Sequence, residues 1–110
     1  MIEFLYKVGE RVVINITERD EYGDDPTTGL YIPSFFQMMN GLEFKVKSRF
    51  IDPVLKKGNI IKEYPRYRIK GVFTDYCGVS HELDDYYFDE HWLLPVYDDI
   101  AIEDDNVDFF

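Results

Sequence analysis

Lysine and arginine are absent after Lys70. Residues 71–110 therefore carry nothing that can displace the counterions of a nucleic-acid backbone or of an anionic lipid surface. Cysteine is nearly absent: Cys77 stands alone, so no disulfide can form within the chain. No apolar run approaches the ~20 residues of a membrane-spanning helix, and no secretory signal pattern opens the chain. A cytoplasmic protein with no membrane partner is expected. Two tools of catalysis are missing as well. There is no glycine loop of the kind that cradles phosphates. Cys77 with His81 or His91 is the only nucleophile-and-base pairing on offer, and no third group is evident to orient it. Nor do the possible ligands fit a metal. Cys77, His81, Asp89 and His91, spaced C-x3-H-x9-H, match no common zinc site. Asp24-Asp25 and Asp84-Asp85 are too sparse for a calcium loop. The expectation is a protein that is not an enzyme and that uses no cofactor and no metal.

Acid is what the chain has in excess. The net charge is −10, and it is unevenly placed: 12 cations and 10 acids precede Gly71, while 12 acids and no cation follow. Such a balance repels nucleic acid at long range and attracts basic protein surfaces. Aromatic residues make up 17% of the chain, enough to fill the core of one small domain and too many for a disordered one.

Periodicity reads as β-structure. Residues 11–16 are rich in β-branched side chains and form a first strand. A polar loop follows over 17–29, with turn residues Gly23, Asp24, Asp25 and Pro26 at its centre. Residues 33–39 form one or two helical turns, with Pro33 near the start and Asn40-Gly41 at the end, and plug the core with Phe and Met. In 43–51, Phe44, Val46, Ser48 and Phe50 alternate with Lys45, Lys47 and Arg49, the mark of a half-buried strand. Asp52-Pro53 breaks it, Lys57-Gly58-Asn59 turns, and Pro65 interrupts again. Residues 66–72 resume the alternation with Arg66, Arg68 and Lys70 on one face. A hairpin of these two strands places six cations on one solvent face. Repulsion between them calls for acid nearby. Residues 86–88 form a short aromatic strand, 89–92 a tight turn and 93–96 a last strand, with Pro95 marking an edge or an end.

The sequence resembles the small SH3-like β-barrel proteins common in bacteriophage genomes. The resemblance lies in four pieces taken in order: Lys7-Val8-Gly9-Glu10-Arg11-Val12, Met39-Asn40-Gly41-Leu42-Glu43-Phe44-Lys45-Val46, Tyr67-Arg68-Ile69, and Phe88-Asp89-Glu90-His91-Trp92-Leu93-Leu94-Pro95-Val96. It implies a mostly β protein, a small antiparallel SH3-like barrel with one short helix. The barrel covers 1–96, with an inserted loop at 51–65 that the family pattern lacks. An acidic C-terminal extension covers 97–110. Ile100 and Ile102 alternate with acids there, and the extension is expected to dock on this chain or on a neighbour.

The fold alone decides no function. The leading expectation is a non-catalytic protein-interaction module, an inhibitor of phage type. Its acidic surface occupies the basic nucleic-acid groove of a host protein, such as a defence nuclease or a CRISPR effector. It would act in the host cytoplasm as a mimic of DNA. Glu82, Asp84, Asp85, Asp98, Asp99, Glu103, Asp104 and Asp105 are the residues expected to bind such a partner, standing in for phosphates. The alternative is a nucleic-acid-binding barrel whose basic face (Lys45, Lys47, Arg49, Arg66, Arg68 and Lys70) is covered by its own acidic tail. In either case the intact chain is not expected to bind nucleic acid directly.

Overall fold

A computed structural model describes residues 3–96. The acidic extension and its expected docking lie outside the described residues. The protein is mostly β and antiparallel. Its strands are β1 (Arg11–Ile14), β2 (Glu43–Lys56), β3 (Asn59–Lys70), β4 (Val72–Thr74), β5 (Ser80–Glu82), β6 (Phe88–Asp89) and β7 (Leu93–Pro95). Five of them form one sheet in the order β6-β3-β2-β1-β7, and β4 pairs with β5 in a second, two-stranded sheet. Among the described residues helix is confined to three 3-10 turns, Ser34–Met39, Leu83–Asp85 and Glu90–Trp92. The first is the expected plug: Pro33 opens it, Asn40 closes it, and Phe35, Phe36 and Met39 are buried. The other two are single turns that periodicity alone does not reveal.

The core is assembled from the inward positions of β1, β2 and β3 and from this plug. Val12, Ile14, Val46, Tyr67 and Ile69 meet Phe36, Met39, Phe88 and Trp92, all essentially inaccessible. Phe36 stacks on Phe88 with ring centres 4.5 Å apart, and its edge meets Trp92 at 6.0 Å. Such aromatic pairs add to the gain from burial alone. Asn40 fixes the plug to the first strand's exit, because its side chain accepts from Ile16 N and donates to Ile16 O, each at 2.8 Å. The polar loop 17–31 is ordered by its own carboxylates. Asp20 accepts from the Tyr22 and Asp24 amides, and Asp25 accepts from those of Thr27 and Thr28.

The expected loop at 51–65 is not a loop. β2 continues through Asp52 and Pro53 to Lys56, and β3 begins at Asn59, so the two strands form one long hairpin. Pro53 lies across from Glu63 and Pro65 across from Ile51. Among the described residues no strand flanks β2 beyond Val46 on its β1 side, nor β3 before Arg66 on its β6 side. A proline in such an edge can point its missing N–H outward at no cost to the ladder. The hairpin closes through Lys57 and Gly58, both at positive φ (52° and 82°). That is the two-residue turn whose twist suits a hairpin.

Gly71 joins β3 to β4 at φ 150°, and a methyl group there would stand 3.0 Å from the Phe44 ring. Gly71→Ala is expected to destabilise the protein by about 1–3 kcal/mol, as overpacking does. Urea denaturation checks this, with a shift of midpoint and an unchanged slope as the expected result.

Candidate functional site

Only three of the eight acids expected to bind a partner lie among the described residues. Glu82 and Asp85 are exposed. Asp84 is engaged by Lys47, whose hydrogen bond is the chief reason its carboxyl sits below the ordinary aspartate value. Asp98, Asp99, Glu103, Asp104 and Asp105 lie outside the described residues. Asp89 and Glu90, neighbours in the same acidic run, are engaged by the body, Asp89 buried and Glu90 half-buried. Asp89 is 3% exposed and bonds Arg66 and His91. Glu90 accepts from Tyr67 Oη at 2.5 Å and from Leu5 N at 2.9 Å. Burial and that carboxylate push the Tyr67 hydroxyl well above its ordinary pKa.

The six cations do not form one open basic face, and a single extra residue is the cause. Val46 faces Ile69 but Ser48 faces Arg68, so Lys47 is a β-bulge with no partner of its own. Residues directly opposed across strands share a face. Beyond the bulge, Arg49 is opposed to core Tyr67 and Phe50 to Arg66, the reverse of a strict alternation from Phe44. Arg49 accordingly turns inward at the sheet edge. Its Nη1 donates to Tyr6 O at 2.7 Å, and its guanidinium lies 4.7 Å from the Phe4 ring centre. Phe50 lies on the other side against Tyr87. Arg66 is 2% exposed and bonded to Asp89 and Asp52. Arg68 is half-buried, donates to Tyr87 Oη at 3.1 Å and lies over that ring. Lys45 and Lys70 are exposed, opposed to each other and without a side-chain partner among the described residues, while Lys47 and Arg49 are exposed but engaged. The acid that six neighbouring cations required is there, as Asp84, Asp89 and Asp52.

A chain of charged groups runs from β2 into a cavity of about 220 Å³ lined by Thr17, Glu18, Asp25, Thr27, His91 and Trp92. Asp52 and Asp89 hold Arg66. Asp89 also meets His91 Nδ1. His91 Nε2 lies 2.8 Å from Asp25, which accepts from Trp92 Nε1 at 2.5 Å. Carboxylate oxygens only accept, so His91 makes both contacts as hydrogen bonds when both of its nitrogens carry hydrogen. Burial alone would raise the Asp25 pKa. The hydrogen bonds from Trp92 and Thr27, and the charge of His91, hold it below the ordinary aspartate value instead. With both ring nitrogens occupied by carboxylates, His91 is a tie between loop and turn in this arrangement.

Cys77 and His81 lie in and beside the β4–β5 turn without forming a dyad there. His81 Nε2 bonds Asp75 at 2.9 Å, and its ring stacks on Phe35 at 3.8 Å. That bond from His81, with the Val79 amide, lowers the Asp75 carboxyl. Cys77 is exposed and unpaired as a thiol, and its amide donates to Asp75. Among the described residues no group of three or more His, Cys, Asp or Glu is placed to hold a metal ion.

The feature that stands out from the body is the end of the hairpin. Over residues 53–63 every position is exposed except Val54, which is half-buried. Leu55, Ile60 and Ile61 are 58–59% exposed, with Lys56, Lys57 and Lys62 among them. Among the described residues this arm has unpaired backbone along both edges, apolar side chains in solvent and lysines beside them. The signal was present in the sequence as Val54-Leu55 and Ile60-Ile61 around a Lys-Gly turn, masked by the prolines that flank it.

No family model, no curated protein and no solved structure matches the chain.

Two outcomes are expected for the buried charges. Arg66→Met strands the Asp89 carboxylate and is expected to cost about 3–5 kcal/mol in urea unfolding at neutral pH. Asp25→Asn faces the Trp92 and Thr27 N–H groups with an amide that accepts less well, at about 1–3 kcal/mol. Because the native Asp25 pKa is lowered, its contribution is full above about pH 4 and is lost as pH falls through the native value. The stability gap between Asp25→Asn and the parent should therefore close in acid, measured as urea midpoints from pH 7 down to pH 3.

Proposed function

We propose that this chain is a non-catalytic protein-interaction module built on an SH3-like barrel. The strand order supports the barrel reading: a central β1-β2-β3 sheet, a short β6 beside β3, and a 3-10 turn leading directly into a last strand that returns to β1. The observation that carries the functional reading is the arm. An apolar cluster held away from the core, on a ribbon whose edges have no partner among the described residues, is suited to burial by a partner.

The partner class follows from charge. The target is a basic, nucleic-acid-binding protein of the host cytoplasm, of the kind a phage product inhibits, with a defence nuclease or CRISPR effector as the type. Glu82 and Asp85 stay exposed on the body for such a surface, and Asp98, Asp99, Glu103, Asp104 and Asp105 add the larger share of negative charge. Asp84 contributes less, being neutralised by Lys47. Leu55, Ile60 and Ile61 supply apolar contact that charge alone does not.

The test is affinity capture from host lysate with the intact chain, with Ile60→Ser/Ile61→Ser, and with Asn at Asp98, Asp99, Asp104 and Asp105. A nucleic-acid-binding protein retained by the intact chain and lost with either variant is the expected result. Its dissociation constant should rise about tenfold or more between 50 and 200 mM salt, since wet ionic contacts are screened. A partner held equally by all three forms, with affinity indifferent to salt, overturns the reading.

A further inference from the structure

We propose that the arm is the docking site for the chain's own C-terminal segment, residues 97–110, laid as an added strand along the unpaired edge of β2. The proposal rests on reading the arm as an interaction element, and it names what occupies that element before a partner does.

Direction comes first. β7 is antiparallel to β1, and β1 is antiparallel to β2. β7 and β2 therefore run the same way, and the chain leaves β7 heading toward the arm. Pro95 is opposed to Val12, and Val12 to Phe44, so this exit is level with the start of β2. The β1 side of β2 carries the Gly9–Val46 and Val46–Glu10 backbone bonds and then, among the described residues, no further partner. The described chain thus ends with one strand, β1, between it and β2, heading along the open edge that the segment would occupy.

Length agrees. The 14 residues from Tyr97 to Phe110 reach about 46 Å when extended, at ~3.3 Å per residue. The 11 residues of β2 that follow Lys45 span about 37 Å at ~3.4 Å each. The segment is long enough to run from its exit to the tip of the arm.

Complementarity is the third argument. In the arm, Leu55 is opposed to Ile60, Val54 to Lys62 and Lys56 to Asn59. One face thus presents Leu55 and Ile60, the other Lys56 and Lys62. The C-terminal segment likewise joins apolar residues to charge, of the opposite sign. Ile100 and Ile102 alternate with Asp99 and Glu103, and Asp104, Asp105 and Asp108 lie among Val107, Phe109 and Phe110. It has six acids and no cation. A nucleic acid would use the lysines and leave Leu55, Ile60 and Ile61 in water. Arm-to-arm pairing of two copies would crowd the lysines of one against those of the other. The chain's own acidic, apolar segment satisfies both faces, by the strand addition that open edges invite.

The experiment uses the full-length chain with a spin label at residue 106, carried on a Cys77→Ser/Asn106→Cys variant. The Leu55, Ile60 and Ile61 methyl resonances report proximity. Selective broadening of those three signals at low salt is expected, with recovery at about 1 M salt, where the screening length is ~3 Å. Lys56→Glu/Lys57→Glu/Lys62→Glu in the same background should abolish the broadening while the core resonances stay in place. Mixing isotope-labelled chains with spin-labelled, unlabelled ones distinguishes docking within a chain from docking between copies. Docking within a chain is the proposed contact; broadening seen only between copies overturns it. Arm methyls untouched by the label, or broadening centred on another surface, overturn it. If the arm is untouched but partner capture still requires Ile60 and Ile61, this inference alone is lost. If capture is also indifferent to them, the reading of the arm falls with it.

Discussion

The body of the protein depends on one buried guanidinium. Arg66 is central in β3, nearly without access to water, and a charge so placed is tolerable only if every side of it is answered. Asp89 answers from β6, Asp52 from β2, and the Tyr64 ring lies 4.6 Å from the guanidinium carbon. Asp89 then needs more than one donor and takes His91; His91 takes Asp25; Asp25 takes Trp92. Each solves the desolvation problem of the one before. In doing so they tie the loop of residues 17–31 and the turn before β7 to the central hairpin. Trp92 is thereby fixed beneath Phe36, and β7 is delivered in register against β1. The loop has little apolar material of its own, and this polar chain is what gives it a defined place.

Charge in this molecule is divided between two uses. Asp25, Asp52, Asp89 and Glu90 hold the structure together and are unavailable to a partner without unfolding part of it. Glu82 and Asp85 have no such duty among the described residues. The cations divide in the same way: Arg49, Arg66 and Arg68 are absorbed by carbonyls, carboxylates and rings, whereas Lys56, Lys57 and Lys62 are displayed on the arm. The polarity read along the sequence is thus partly spent inside the fold.

What local pattern can report, it reported. The β-branched run at 11–16, the alternation at 43–51, the Pro33 and Asn40-Gly41 borders of the plug and the strand end at Pro95 are all decided by neighbours in sequence. Three features lay beyond that reach. The bulge at Lys47 is one residue in a strand whose alternation is unbroken in the sequence, and only the partner strand reveals that two positions oppose one. The prolines at 53 and 65 looked like breaks because a proline's harm depends on which edge its nitrogen faces, and the sequence does not carry that. The chain of charges joins residues as far apart as Asp25 and Trp92, separated by 67 positions. A buried carboxylate and an exposed one are written with the same letter, and so the acidic cluster at 82–90 read as a surface although Asp89 is buried and Asp84 and Glu90 are engaged by Lys47 and Tyr67.

The hairpin holds two register shifts, one where Val46 gives way to Ser48 and one where Val54 gives way to Leu55. The first displaces a residue of β2, and the second leaves Ile61 of β3 unopposed. They bracket the stretch that connects body to tip. Gaining or losing a single residue at either point would rotate the outer ribbon by half a turn while leaving Val46, Tyr67 and Ile69 where they are. The orientation of the protruding part is therefore adjustable by the smallest possible change in chain length, independent of the architecture that supports it.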